Sequence, residues 1–186
     1  MTHFNSEGCH GLVRGIRSST CPWRDLGSRA TGKGRSEGAS LDLKGYEVRW
    51  AISLKKGHHE LLITIDQIYQ TIRSYPQTKP KLRRLQETLF THLGCQDQGM
   101  FRQLSLNLSS DRQALKIIEF LEHNLKELKV RTLIFFDRYP ADLSDQKEEG
   151  FAAQFVDFAK EITERLQLEE EYLIPLLERL RAQQTQ

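Results

Sequence analysis

Apolar residues recur every three or four positions along most of this chain, and this period constrains the fold more than any other feature. From about Leu43 to Leu180 they fall on single stripes along four successive stretches, as is typical of helices buried on one face. No segment shows the strict alternation of apolar and polar residues that predicts a half-buried strand. The period therefore predicts an all-α fold.

Prolines and capping residues divide the helical pattern into four predicted helices, A to D. Helix A should end near Tyr75, because Pro76 disfavours helical geometry in the residue before it. Ser110 stands three before Gln113, which is the spacing of a capping box at the start of helix C. The predicted bounds are about 43–75 for helix A, 78–107 for helix B, 110–139 for helix C and 144–183 for helix D, with Gly150 as an alternative start. Long helices joined by short connections predict an antiparallel four-helix bundle.

The first 40 residues differ in composition from the rest of the chain. They hold seven of the twelve glycines, no apolar period, and six Lys or Arg against three Asp or Glu. Such a segment buries too little apolar surface to offset the entropy lost on ordering. We expect a disordered basic extension over residues 1–40 and one helical domain over residues 41–183.

Composition argues against several classes of protein. No apolar run approaches the roughly 18 residues that predict a membrane-spanning helix. The three cysteines show no metal-ligand spacing, and the chain has no glycine-rich phosphate loop and no evident nucleophile paired with a base. A basic run over residues 79–84 lacks interleaved aromatics, so it is expected to be a solvated face. We expect a cytoplasmic protein that is not an enzyme and binds neither membrane nor nucleic acid.

A layer of polar residues interrupts the predicted apolar stripes at one level of the bundle. Arg165 and Glu169 lie four apart at core positions of helix D. The same register places His92 and Gln96 on the inner face of helix B, and His58 on the inner face of helix A. We interpret the five residues as a buried hydrogen-bonded network that fixes the helix register without metal or cofactor.

A metal centre is the alternative interpretation of this layer. Bundles of the hemerythrin-like family hold two iron ions with histidines and carboxylates at similar positions on their helices. Here Gln96 stands where a bridging carboxylate is needed, and Arg165, which cannot ligate a metal, stands in place of a histidine. His123 is a candidate ligand on helix C, but it is in line with charged residues that face solvent. The predicted ligand ring is incomplete.

Four sequence blocks, in order, resemble the Rsd/AlgQ family of bacterial anti-sigma factors. Glu47-Val48-Arg49-Trp50 is similar to an acidic-Arg-Trp signature of that family, and Leu61-Leu62 with Tyr69 is similar to the apolar run that follows. The other similar blocks are Leu89-Phe90-Thr91-His92-Leu93-Gly94 with Met100-Phe101, then Phe135-Phe136-Asp137, then Arg165-Leu166-Gln167-Leu168-Glu169-Glu170. The resemblance covers about residues 41–182 and implies a four-helix bundle.

The resemblance implies that the chain binds and sequesters the primary sigma factor of RNA polymerase through the C-terminal region of that factor. The residues expected to contact the partner are Arg49, Trp50, Leu93, Phe101, Asp137 and Glu170. Packing in the core is the alternative for the matched residues, and it is the favoured interpretation for Leu93. Thr91, Gly94 and the segment 96–98 depart from the family pattern, so polar contacts of that block cannot be transferred. A helical adaptor of the same fold with another partner remains an alternative.

Charge provides an additional argument for such a partner. Sigma factors recognise promoter DNA through a basic helix-turn-helix, so a protein that covers it should present acidic side chains. The acidic residues expected on the outer surface are Asp157, Glu161, Glu164, Glu170, Glu171 and Glu178 of helix D, with Glu60 and Asp66 of helix A. A solvated face with no partner explains any one of them equally well.

Overall fold

The computed structural model describes residues 46–97, 99–140 and 150–184, with side chains for 50–96, 99–140 and 150–183. The elements are α1 (Tyr46–Thr71), α2 (Tyr75–Asp97), α3 (Met100–Asn107), α4 (Arg112–Arg138), α5 (Phe151–Leu168), a π-helical turn (Glu169–Leu173) and α6 (Ile174–Gln184). These described residues contain no strand. The α5 helix, the π turn and α6 are continuous and form one arm. With α2 and α3 taken together as another, the elements make four arms, and the predicted all-α bundle is confirmed.

Contacts between the arms fix their directions. Along α1, Lys55 bonds Glu178 of α6, whereas Tyr69 packs on Phe155 of α5, so α1 and the last arm are antiparallel. The α4 helix also runs against the last arm, because Arg131 bonds Glu161 while Phe135, further along α4, stacks on Phe158. The four arms enclose a common apolar core along the bundle axis.

The first connection is tighter than the sequence predicts. Helix α1 ends at Thr71, four residues before the predicted end, and α2 begins at Tyr75. The Thr71 carbonyl, at the end of α1, accepts hydrogen bonds from the Ser74 backbone N–H at 2.8 Å and from the Thr78 hydroxyl at 2.6 Å. Pro76 falls in the first turn of α2, where its missing N–H is not needed. The expected continuation of helix A to Tyr75 is therefore wrong.

Predicted helix B is two helices. Helix α2 stops at Asp97, and α3 starts at Met100 after Gly99, which has a φ of 94°. This left-handed conformation is accessible to glycine but disfavoured for other residues, and it breaks the helix. Met100 and Leu104 are still buried on the inner face of α3, as the apolar stripe requires. The prediction of one continuous helix is corrected.

The remaining helix starts depend on two residues. Asp111, rather than Ser110, caps α4, because its carboxylate accepts hydrogen bonds from the backbone N–H groups of Gln113 and Ala114. The predicted capping box is therefore wrong. Gly150 precedes α5 with a φ of 85°, which confirms it as the alternative helix start. The predicted start near Ser144 lies outside the described residues, as does the extension over residues 1–40.

None of the helices in the described part of the chain is both long and apolar enough to cross a membrane.

Candidate functional site

The five polar residues of the predicted layer form one buried cluster. They come from three arms of the bundle: His58 from α1, His92 and Gln96 from α2, Arg165 from α5, and Glu169 from the first position of the π turn. Their exposed fractions are 3% for His58, 6% for His92, 1% for Gln96, 2% for Arg165 and 0% for Glu169. The structure therefore brings together every residue that the helical register had placed in this layer.

The Glu169 carboxylate lies at the centre of the cluster. Its Oε2 atom is 2.9 Å from His58 Nε2 and 3.2 Å from His92 Nε2. The same oxygen accepts a 2.8 Å hydrogen bond from Gln96 Nε2. Its other oxygen, Oε1, accepts a 2.6 Å bond from Arg165 Nε. A buried carboxylate needs such compensation, because an unpaired charge in an apolar interior is strongly unfavourable.

Arg165 connects the cluster to the fourth arm. Its Nη1 atom donates to the Leu121 carbonyl of α4 at 2.8 Å and lies 3.4 Å from Asn124 Oδ1. Its Nη2 atom donates to Gln96 Oε1 at 3.1 Å. The guanidinium and its neighbours thus bridge all four arms at one level of the bundle. Sequence periodicity did not reveal the contacts to α4, because a backbone carbonyl carries no signal in the sequence.

The π turn brings two consecutive carboxylates to one imidazole ring. His58 Nε2 donates to Glu169, while His58 Nδ1 is 2.6 Å from Oε1 of Glu170, whose side chain is about half exposed at 49%. In a regular α-helix, consecutive side chains point about 100° apart, so such convergence is not expected. The wider turn over Glu169–Leu173 accompanies it. π turns in α-helices are frequent at functional sites.

Burial and hydrogen bonding act in opposite directions on the ionisable groups of the cluster. Burial alone would raise the pKa of the Glu169 carboxyl, but the two imidazoles and the Arg165 guanidinium outweigh burial and hold this pKa well below its usual range. Burial would likewise lower the pKa of His58, yet its bonds to Glu169 and Glu170 prevail and raise it. Glu169 is therefore ionised at neutral pH.

Gly57 allows α1 and α2 to approach closely at this level. A methyl group at Gly57 would lie 2.9 Å from Nδ1 of His92, whose ring is held by Gln96 and Glu169. By contrast, Gly94 has no atom within 4 Å of such a methyl. The position of His92 therefore depends on the absence of a side chain at residue 57, which sequence analysis did not identify.

These two glycines form a matched pair for mutation. Gly94→Ala should raise the free energy of unfolding by about 1 kcal/mol, the usual advantage of alanine inside a helix. Gly57→Ala has the same advantage, but displacing the His92 ring should cancel or exceed it, since overpacking costs about 1–3 kcal/mol. Chemical denaturation of both variants measures the difference. Equal stabilisation by both would show that His92 is not held in place.

A groove of about 410 Å³ opens between α1 and α2 beside the cluster. His92 and Gln96 belong to both the cluster and the groove wall. Trp50 lines the groove near the start of α1, and Glu60 and Glu87 add two carboxylates. The groove thus links the buried polar groups to solvent.

The residues expected to contact a partner do not form one surface. Leu93 and Phe101 are only 2% and 5% exposed, because they pack in the core; their interpretation as partner contacts is wrong. The side chain of Arg49 lies outside the described residues. Trp50 is partly buried against the core and lines the groove. Asp137 is exposed on the outer side of α4.

Trp50 and Asp137 lie at opposite ends of the bundle. Trp50 is close along α1 to Lys55, which bonds Glu178, whereas Asp137 is next to the aromatic residues that pack around Phe155. The contact of Tyr69 with Phe155 places Asp137 near the far end of α1. Trp50 and Tyr69 are separated by about 28 Å at 1.5 Å per residue. A small interface cannot contain both Trp50 and Asp137.

The acidic side chains expected on the outer surface are at least partly exposed, although several are paired within the molecule. Glu161 bonds Arg131 at 2.6 Å, Glu178 bonds Lys55 at 2.9 Å, and Glu164 lies 3.8 Å from Lys160. The more exposed members of the set are Asp66, Asp157, Glu164, Glu170, Glu171 and Glu178. The ion pairs with Arg131, Lys55 and Lys160 lower the net negative charge of this face.

The second metal position of the hemerythrin-like alternative is not assembled. His123 is 74% exposed and lies 3.7 Å from Glu127 on the outer side of α4. Gln96 and Arg165 bond each other and Glu169 instead. The described residues contain one grouping whose ligand atoms are close enough for a metal ion, namely His58, His92 and Glu169.

Fold and cluster together define a helical bundle with a buried ionic layer. Comparison with known proteins adds no family to this description: no protein-family model, curated protein or solved structure matches the chain.

Proposed function

We propose that the chain is an anti-sigma-like regulator of transcription, which binds the primary sigma factor of bacterial RNA polymerase and sequesters it in the cytoplasm. It acts by binding and not by catalysis. The observation that carries the proposal is the resemblance of four sequence blocks to the Rsd/AlgQ family, in order and at fitting intervals. Every block has described residues in the helical arms of the bundle, as expected of a chain built on the plan of that family.

The proposed contact surface includes the start of α1 and the π turn. Trp50 supplies a partly exposed aromatic ring, and aromatic residues are enriched among the residues that dominate binding energy. Glu170 and Glu171 are exposed on the π turn, in the same half of the bundle as Trp50, since Glu170 bonds His58. This combination suits a partner that presents both basic and apolar side chains.

Internal ion pairs do not remove the acidic residues from such an interface. An exposed pair such as Lys55 with Glu178 is usually worth only about 0–1 kcal/mol, so a partner's arginine displaces the lysine at little expense. The acidic face would therefore attract the basic helix-turn-helix of a sigma factor and block its contact with promoter DNA. Screening by salt should weaken this attraction.

The function is tested by transcription from a promoter that depends on the primary sigma factor. Purified protein added before the sigma factor meets the core polymerase should reduce transcript in proportion to its concentration, and added sigma factor should restore it. Transcription by a polymerase carrying an alternative sigma factor is the matched control and should be unchanged. Unaltered transcription in both reactions would leave a helical adaptor with another partner as the better interpretation.

A further inference from the structure

The three ligand atoms at the centre of the cluster have the spacing of a metal site. Glu169 Oε2 is 2.9 Å from His58 Nε2 and 3.2 Å from His92 Nε2, and all three atoms lie within 4.8 Å of one another. Tetrahedral zinc bonds of about 2.0–2.1 Å place neighbouring donor atoms about 3.3 Å apart. Small movements of buried side chains therefore suffice to surround one ion.

The groups behind these ligands are those that a metal site requires. A histidine that binds metal usually donates its other ring N–H to a carboxylate, which fixes the orientation of the ring. Here His58 Nδ1 bonds Glu170 at 2.6 Å. Arg165 Nε binds Oε1 of Glu169, so Oε2 is the oxygen that faces the two histidines and the Gln96 amide. The π turn supplies both carboxylates, one for the ion and one for the ring.

Gln96 and Glu169 are the polar neighbours of the His92 ligand atom. Because Arg165 donates to Gln96 Oε1, the amide nitrogen of Gln96 faces His92 Nε2 at 2.8 Å. An amide nitrogen only donates, so in the neutral ring His92 Nε2 accepts this bond through the same lone pair that would bind a metal ion. The same nitrogen lies 3.2 Å from Oε2 of the Glu169 carboxylate. A metal ion bound to both atoms would replace the proton that otherwise lies between them.

We propose that His58, His92 and Glu169 form a site for one divalent transition-metal ion of the zinc class. Two imidazoles and one carboxylate are a common zinc ligand set, in which a fourth position is left for water or another ligand. Gln96 lines both this site and the groove, and its amide nitrogen lies 2.8 Å from Glu169 Oε2, so this amide would have to move for a fourth ligand to enter from the groove. The ion ties α1 and α2 to the last arm. The site differs from the dinuclear alternative, because Arg165 and Gln96 take the place of a second ligand set.

The test uses the purified full-length chain after removal of metal with a chelator. Calorimetric titration with Zn²⁺ should give one ion per chain, and zinc should raise the melting temperature. Co²⁺ should produce visible absorption bands typical of a low coordination number. His92→Gln should abolish the binding of Zn²⁺ in the calorimeter and the absorption bands of Co²⁺. His59→Ala is the matched control, since His59 is the exposed neighbour of His58, and this variant should bind like the wild type.

A second variant keeps the test decisive if His92→Gln does not fold. Glu170 is about half exposed, so Glu170→Gln should retain the fold and lower zinc affinity about 10–100-fold, the usual effect of losing a carboxylate behind a ligand histidine. The proposal is overturned if wild-type protein binds no stoichiometric Zn²⁺ at micromolar concentration. It is equally overturned if binding survives His92→Gln or is lost in His59→Ala. None of these measurements requires the sigma factor, so this proposal and the proposed function fail independently.

Discussion

Replacing Arg165 by methionine should lower the free energy of unfolding by about 3–5 kcal/mol, measured by chemical denaturation with a chelator present. Removing one partner of a buried ion pair leaves the other charge uncompensated, which accounts for a loss of this size. Here the substitution leaves Glu169 Oε1 and the side-chain oxygen of Gln96 without the Arg165 donor in the core, and it removes an additional bond to the Leu121 carbonyl. Methionine fills a similar volume, so a cavity adds little.

Lys160→Met is the matched control for this substitution. Lys160 belongs to the same helix and lies 3.8 Å from Glu164, but both side chains are exposed, at 72% and 59%. An exposed pair contributes about 0–1 kcal/mol, so this variant should remain close to the wild type. Adding Glu169→Gln to Arg165→Met should recover part of the lost stability, since no charge then remains stranded. A loss below about 1 kcal/mol for Arg165→Met would contradict the buried network.

Replacing Trp50 by alanine should weaken binding of the sigma C-terminal region by about 2 kcal/mol, or roughly 30-fold in Kd. The reason is that truncating a central aromatic ring removes apolar contact that no neighbouring polar group replaces. Because Trp50 also packs on the core, the melting temperature of the variant must be measured beside its affinity. We expect the variant to remain folded at the temperature of the titration.

Phe120→Ala is the control for the loss of a surface aromatic ring. Phe120 is 52% exposed on α4, a helix that is not part of the proposed contact surface. Its replacement should leave affinity within about twofold of the wild type, or about 0.4 kcal/mol. The opposite pattern, in which Phe120→Ala lowers the affinity and Trp50→Ala leaves it unchanged, would show that the partner contacts α4 instead.

The helical period predicted the bundle because each arm buries one stripe, and that requirement does not depend on the partner or on details of the turns. The same regularity hid the break between α2 and α3. Met100 and Leu104 continue the stripe of α2 across the break, so only Gly99 marked it in the sequence. The position of Asp111 likewise could not be distinguished from that of Ser110, since both residue types cap helices well.

The buried cluster was predictable where it obeys the period of 3.6 residues and unpredictable where it departs from it. His92 with Gln96, and Arg165 with Glu169, are four apart, so their shared face follows from sequence. The contact of Glu170 with His58 depends on the π turn, and no residue type in the sequence predicts a π turn. The prediction that Leu93 and Phe101 contact the partner is wrong, because resemblance to a family does not distinguish a surface position from a core position.

The sequence and the structure lead to different expectations for the cluster. Sequence analysis predicted a network without metal, because two of the positions needed for a dinuclear centre carry Gln96 and Arg165. The structure brings His58 and His92 to one oxygen of the Glu169 carboxylate. The spacing of residues along the sequence cannot predict that both rings meet the same oxygen. Zinc titration separates the two accounts without affecting the assignment of the fold.

Calorimetric titration of the full-length protein with the purified C-terminal region of the primary sigma factor tests the proposed function most directly. The account predicts a one-to-one complex with a micromolar or lower Kd. Binding should be weaker at 0.5 M salt than at 0.1 M, because the screening length of charges shortens to a few ångströms. The C-terminal region of an alternative sigma factor should give no heat. No binding at micromolar concentration, with both proteins folded, would contradict the account.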